Sequence, residues 1–295
     1  MMREKIELPK EKKSEIKIEK RCAGDGEIEI MVGSPDPEKL KSDTPVFIAP
    51  GWGNTAETLK SSLGVLAERG RESYTLDYPR KKQLDSISEI ATEELQKAVS
   101  ILATLRQEGI KKTDAVGYSE GGINLAVAAS MEPDKFRNIV FVAPGGMVGQ
   151  DSSLKLAGRF SLGALIDTLN TMVKPETVLP ALKYTKELLK YIGKNPAMAM
   201  REVGAIAQSD ITELCKQLKE KGIGISFVCG VDDKAFPMER VQKQANTEML
   251  DGFYSVKGGH GELVLHPEKY TSLVEEALSA LEKKAEKSTA AKESN

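Results

Sequence analysis

The sequence has 295 residues, 40% hydrophobic and 29% charged, with a formal net charge of −2. That length suits one large α/β domain or two small ones. Near-neutral charge excludes the concentrated basic surface of a general nucleic-acid binder. No run of about 18 or more uncharged apolar residues is present, so no transmembrane helix is expected.

The chain opens with MMREKIELPKEKKSEIKIEK, which has no apolar signal core and argues against secretion. Residues 1–14 read as a charged N-terminal segment. Next, EIKIEK (15–20) and EIEIMV (27–32) alternate in polarity around Gly24-Asp25-Gly26, a hairpin signal. TPVFIAPGWGNT places an apolar strand at 45–49 ahead of a glycine-rich loop, and ESYTLDYPR gives a short strand at 73–77. Apolar residues then recur at Ile87, Ile90, Ala91, Leu95, Ala98, Leu102 and Leu105, a helical stripe. TDAVGYSEGGINLAVAAS reads as strand, sharp turn and helix, and RNIVFVAPGG as a buried strand at 138–143.

Residues 148–207 break this rhythm. They predict helices around 152–173, 176–192 and 196–207 with no strand between, a helical cap inserted over the C-terminal edge of the sheet. A helix at 209–221, a strand at 224–229 and a last strand in GFYSVKGGHGE restore the alternation. An amphipathic helix at 267–284 closes the core, and 285–295 is charged, small and expected to be disordered. Uniformly apolar strands alternating with helices imply a mostly parallel sheet covered on both faces, opened by an antiparallel hairpin. The core therefore comprises 15–147 and 208–284, with the cap at 148–207.

The turn GYSEGG is the chemical centre of this pattern. A glycine two residues either side of Ser119 matches the G-x-S-x-G pattern, which chance alone supplies about 0.15 times in a chain of this composition. Its position between strand and helix makes it informative. So sharp a reversal strains the serine backbone and needs nearly side-chain-free neighbours at Gly117 and Gly121, while Gly122 lets the helix lie close to the sheet. The helix N-terminus also directs N–H groups toward developing negative charge.

A serine nucleophile needs a base, and the base an orienting carboxylate. The chain has two histidines. His260, in the loop VKGGHGE after a strand, can swing over the sheet edge; His266, in HPEKY, reads as a cap of the last helix. In CGVDDKAFP, Asp232 and Asp233 both qualify chemically as the acid. The chain order is serine, aspartate, histidine. Cys22, Cys215 and Cys229, odd in number and far apart, read as reduced thiols of a cytoplasmic protein. They cannot build a zinc site with the histidines. With no Walker loop and no complete GxGxxG, neither metal nor organic cofactor is expected.

GYSEGG, GVDDKAFP and GGHGELVLHPE together make the chain, from about residue 15 to 284, resemble the α/β-hydrolase superfamily. The resemblance implies an α/β-hydrolase fold with GYSEGG as nucleophile elbow. The family's acid loop, Gly-x-x-Asp-x-x-x-Pro, aligned on Gly230 and Pro237, selects Asp233. The resemblance also implies that APGWGN is the oxyanion loop, with Pro50-Gly51 in place of the usual His-Gly, and that Trp52 and Glu120 donate backbone N–H bonds. Glu120 departs from the apolar residue or glutamine of many relatives, and its carboxylate is expected near the mouth of the site. The activity implied is a serine esterase acting on a small-molecule ester or acyl substrate. Thioesterase, lysophospholipase, amidase or acyltransferase chemistry shares the same centre, and a non-catalytic ligand binder shares the fold. Met198 and Met200 read as packing within the cap.

Overall fold

The computed structural model describes residues 16–23, 28–79, 92–160, 163, 175–246 and 248–293. Segments rich in Val, Ile and Phe pair into one eight-stranded sheet: β1 (Lys17–Ala23), β2 (Ile28–Ser34), β3 (Ser42–Ala49), β4 (Arg71–Asp77), β5 (Thr113–Tyr118), β6 (Phe136–Val142), β7 (Gly224–Gly230) and β8 (Gly252–Val256). Their spatial order is β1-β2-β4-β3-β5-β6-β7-β8. The β1–β2 and β2–β4 pairs are antiparallel, and every pair from β4–β3 to β7–β8 is parallel.

The inner strands β3, β5, β6 and β7 read as largely continuous apolar runs because both faces are buried. In β3, Val46 and Ile48 face one layer and Phe47 and Ala49 the other. The first layer is completed by Leu59, Leu63 and Leu66 of α1 (Ala56–Glu68), and by Val274, Ala277 and Leu278 of the C-terminal helix. The second is completed by Ala98, Ile101, Leu102 and Leu105 of α2 (Thr92–Gln107) and by α3 (Glu120–Met131). Alternation along a strand thus serves two cores instead of core and solvent.

The inserted region contributes a helical stretch at 153–160, α4 (Pro175–Lys194) and α5 (Pro196–Gln208). The rest of the chain supplies α6 (Thr212–Glu220), α7 (Met238–Gln244), α8 (Glu262–Leu265) and α9 (Pro267–Glu293). Helix α4 packs over α8 and α1, and α5 over α2. The N-terminal segment 1–14, the hairpin turn at 24–26, the start of the 87–105 stripe and much of the first cap helix lie outside the described residues.

Two expectations need correction. The tail from 285 was read as disordered, yet α9 continues to Glu293. Its Ala, Lys and Glu residues are strong helix formers, and no Gly or Pro interrupts them. Helix α1 was not anticipated, although Thr55 and Thr58 form a reciprocal capping box and Leu59, Leu63 and Leu66 make an apolar stripe. Met200, read as packing, is 64% exposed, whereas Met198 is buried.

Candidate active site

The parallel strands place their C-terminal ends along one rim, and the candidate residues stand in the loops that leave it. Strand β5 turns into α3 at Ser119, whose φ of 56° lies in the left-handed region that non-glycine residues rarely occupy. The turn holds because its neighbours lack side chains. A Cβ on Gly117 would sit 2.6 Å from Gly122 Cα, and one on Gly121 would collide with the Ala49 carbonyl oxygen. At Gly122 a Cβ would press to 3.2 Å from the Phe141 ring. The serine backbone is anchored as well: its N–H donates to Val142 O at 2.9 Å, and its carbonyl accepts from Gly122 and Gly145, each at 3.0 Å.

The three residues singled out from sequence meet here. His260 Nε2 lies 2.9 Å from Ser119 Oγ, and Nδ1 lies 2.8 Å from Asp233 Oδ2. An ionised carboxylate can only accept, so Nδ1 carries the hydrogen and Nε2 is left to accept from the serine hydroxyl. The other Asp233 oxygen accepts the Phe236 N–H at 2.9 Å. Asp233 is 3% exposed and is the neighbour that meets His260, whereas Asp232 is exposed. His266 stands just before α9 and accepts the Tyr270 N–H through its carbonyl, as a capping residue should.

Sequence reasoning missed what holds the imidazole. Tyr118 stacks on it at 5.6 Å between centroids and 23° between planes, and its hydroxyl donates to the His260 carbonyl at 2.6 Å. The edges of Phe160 and Phe236 contact it at 5.1 and 5.2 Å. The position of Tyr118 directly before the nucleophile was the only sequence signal available.

The loop after β3 lies against the serine. A Cβ on Gly51 would be 2.9 Å from Tyr118 O and 3.0 Å from Ser119 Cβ, so only glycine lets the loop approach this closely. Trp52 follows, half-buried, its indole packed against Phe160 and Tyr191 at 6.3 and 6.0 Å. Glu120, on the far side of Ser119, begins α3, where the first N–H groups have no acceptor within the helix.

The Glu120 side chain does not reach the mouth of the site, contrary to expectation. It is fully buried and its carboxylate lies 2.5 Å from Lys97 Nζ. Lys97 also reaches Glu202 at 3.1 Å, and the Tyr191 hydroxyl meets both Glu202 oxygens at 2.8 Å. A buried carboxylate must find a cation, and Lys97 on α2 supplies it. Burial alone would lower the Lys97 pKa, but Glu120, Tyr191 and Glu202 outweigh it and hold the ammonium well above its usual value. Glu94, one turn earlier on α2, is also buried; burial and the Glu120 charge push its carboxyl well above the carboxylate range. Both residues flanking the nucleophile loop thus connect to one network, Trp52 through Tyr191 and Glu120 through Lys97.

A cavity of about 770 Å³ opens beside this loop, lined by Gly51, Asn54, Asp77, Tyr78, Tyr191 and Asn195 among others, but Ser119 and His260 are not in its wall. Burial pushes the thiols of Cys215 and Cys229 up to about 12, so neither is a nucleophile near neutral pH. Among the described residues, no cluster of His, Cys, Asp and Glu is arranged to hold a metal, and no helix is long and apolar enough to cross a membrane.

No family model matches the sequence, and no curated protein matches it. Solved structures do match in shape. A bromoperoxidase from Bacillus anthracis superposes with a TM-score of 0.65 at 17% identity, over 88% of this chain and 100% of that one. An enol-lactonase from Burkholderia xenovorans gives 0.63 at 12% identity, over 88% and 100%. A thermophilic esterase from Thermogutta terrifontis gives 0.61 at 18% identity, over 90% and 99%. The architecture is the α/β-hydrolase fold.

Proposed function

We propose that this α/β-hydrolase-fold chain is a serine hydrolase that cleaves carboxylic esters through an acyl-enzyme. The observation that carries the reading is the hydrogen-bonded series from Ser119 through His260 to Asp233, at 2.9 and 2.8 Å. Ser119 Oγ attacks the acyl carbon while His260 Nε2 takes its proton. Asp233 holds the imidazole in the tautomer that can do so and stabilises the cation formed. The tetrahedral oxyanion accepts from the N–H groups of Trp52 and Glu120, each such donor contributing about 2.7–4 kcal/mol. Collapse returns the proton from His260 to the departing alkoxide and leaves an acyl-serine. Water, deprotonated by His260, then attacks the ester carbonyl and releases the acid.

Backbone strain at Ser119 supports a role for this turn beyond chain reversal, because strain persists where surroundings enforce it. The aromatic rings of Tyr118, Phe160 and Phe236 surround the imidazole with apolar surface, which suits an acyl group with apolar parts. Neighbours described as an enol-lactonase and an esterase have names that refer to ester chemistry, and at their low identity they favour a class and not a substrate.

Labelling with a fluorophosphonate, together with a panel of p-nitrophenyl esters of graded acyl length, tests the reading. Stoichiometric labelling at Ser119 and ester turnover are expected, with Ser119→Ala losing label and ~10⁴–10⁶-fold of the rate. A folded wild-type chain that neither labels nor turns over any ester would leave a non-catalytic ligand binder as the better description.

A further inference from the structure

Helix α4 has two dissimilar faces. On the inner side Leu188 fills the space beside Gly53, where a Cβ would collide with its side chain, and Tyr184 packs on the core that contains Val264. The outer side carries Leu179, Leu182 and Leu189, exposed by 78%, 63% and 65%. Among the described side chains of the helix, Lys183, Lys186, Lys190 and Lys194 are the charged residues at exposed positions, and no carboxylate stands with them there.

Helical geometry sorts these groups. At roughly 100° per residue the three leucines share an arc of about 80°, and the lysines spread over an arc of similar width along one flank. Lys183 meets Glu57 at 2.8 Å and Lys190 meets Glu187 at 3.6 Å, but both ammonium side chains are more than half exposed. Among the described residues Lys186 forms no ion pair; Lys194 forms none either, but its charge acts on the Asp77 carboxyl across the neighbouring cavity. A row of leucines edged by lysines is what an interface between acyl chains and headgroups requires, since lysine stems lie along apolar surface while the ammonium groups reach phosphate.

We propose that the outer face of α4 is a docking surface for an anionic lipid bilayer, with the leucines among the acyl chains and the lysines at the headgroups. Charge complementarity selects this occupant over a second copy of the chain. Pairing two copies through the leucines would set their lysine rows side by side, with no exposed carboxylate among the described side chains of either helix to neutralise them. The inference is independent of the hydrolase reading, because it uses none of the residues assigned to the candidate active site.

Co-sedimentation of the full chain with vesicles tests it, using phosphatidylcholine alone and phosphatidylcholine mixed with phosphatidylglycerol. Binding to the anionic vesicles is expected, with much weaker binding to the neutral ones and weakening as salt is raised. Ser119→Ala should bind as the parent does, so a failed hydrolase assay leaves this result readable. The double variant Leu182→Glu, Leu189→Glu, with unchanged circular dichroism, should lose binding by at least tenfold. Lys186→Glu with Lys194→Glu should lose about 25-fold or more, about fivefold for each of the two charges removed and further for their reversal. Equal binding of parent and leucine variant, or equal binding to neutral and anionic vesicles, would overturn the proposal. So would an absence of vesicle binding, including the case where analytical centrifugation shows a parent dimer that the leucine variant dissolves into monomers.

Discussion

The two ends of the parallel strands each hold a buried charge cluster, and the clusters are built on opposite principles. At the N-terminal ends, Arg71 is fully buried and bonds both Glu275 and Glu282, the latter through two nitrogens at 2.8 and 2.9 Å. Arg137 grips Asp114 at 2.9 and 2.5 Å, and Asn138 adds a third bond to the same carboxylate at 2.9 Å. With Lys41 on Glu275, three cations face three carboxylates. At the C-terminal ends, behind Ser119, Lys97 is, among the described residues, the cation that faces the buried Glu94, Glu120 and Glu202. A balanced, forked network clamps α9 to the sheet; an unbalanced one stores electrostatic cost beside the candidate nucleophile. The first end is built for stability, and the second carries the proposed chemistry.

That contrast is broken most forcefully at Arg71. Replacing it with methionine leaves Glu275 to Lys41 alone and Glu282 and Asp114 to Arg137 alone, and removing one partner of a buried pair costs about 3–5 kcal/mol. Urea denaturation should show that loss. Fluorophosphonate labelling per folded molecule should stay at the parental rate, because no bond of Arg71 reaches the rim that carries Ser119. A fall in labelling of the folded protein would mean that the two ends are mechanically coupled after all.

Lys97→Met is the matching change at the other end. Glu120 and Glu202 lose their shared cation, and proton uptake by the carboxyls limits the stability loss to roughly 2–3 kcal/mol. Here activity should also suffer. Glu120 opens α3 directly after Ser119, so a shift of its backbone displaces a proposed oxyanion donor, and small misplacements of such groups are costly. A drop of about tenfold to a hundredfold in kcat, with KM little changed, is the expected split between steps. An unchanged kcat in a destabilised variant would assign the lysine to folding alone.

The sequence makes one of these ends far more legible than the other. Ser119 and His260 could be named because their proposed roles are written in short stretches, an elbow flanked by glycines and a histidine between glycines; Asp233 was separated from Asp232 only by resemblance to the family's acid loop. Nothing local marks Lys97 as the partner of Glu120. It occupies an ordinary place on a helical stripe, and Glu202 joins it from the inserted helices, so the pairing exists only once α2, α3 and α5 pack together. The Glu120 side chain was assigned to the mouth of the site for the same reason: its neighbour in sequence was known and its neighbour in space was not. Tyr118, Phe160 and Phe236 converge on His260 from three separate segments. The length of α9 was misread because charged composition suggests a solvated tail, whereas Ala, Lys and Glu also favour helix.

The smallest effect sharpens the comparison by its sign. Glu94 has a folded-state pKa above its unfolded value, through burial first and the Glu120 charge second. Below about pH 4.5 both states are protonated and the residue contributes fully to stability. As pH rises, the unfolded chain releases the proton while the folded one keeps it, so stability falls up to the raised pKa. Glu282 slopes the other way: its bonds to Arg71 come first in lowering its pKa, so its contribution is present above about pH 4.5 and lost on acidification. Glu94→Gln fixes the neutral form in nearly the same volume. It should leave stability unchanged at pH 4 and raise it at pH 8, whereas Glu282→Gln should weaken the protein at pH 8 and change little at pH 3. Thermal melts of both variants across that range would read the two slopes directly. Parallel slopes would mean that the carboxyl on α2 is ionised in the folded chain, with Lys97 able to neutralise all three glutamates, and the imbalance behind the nucleophile would disappear.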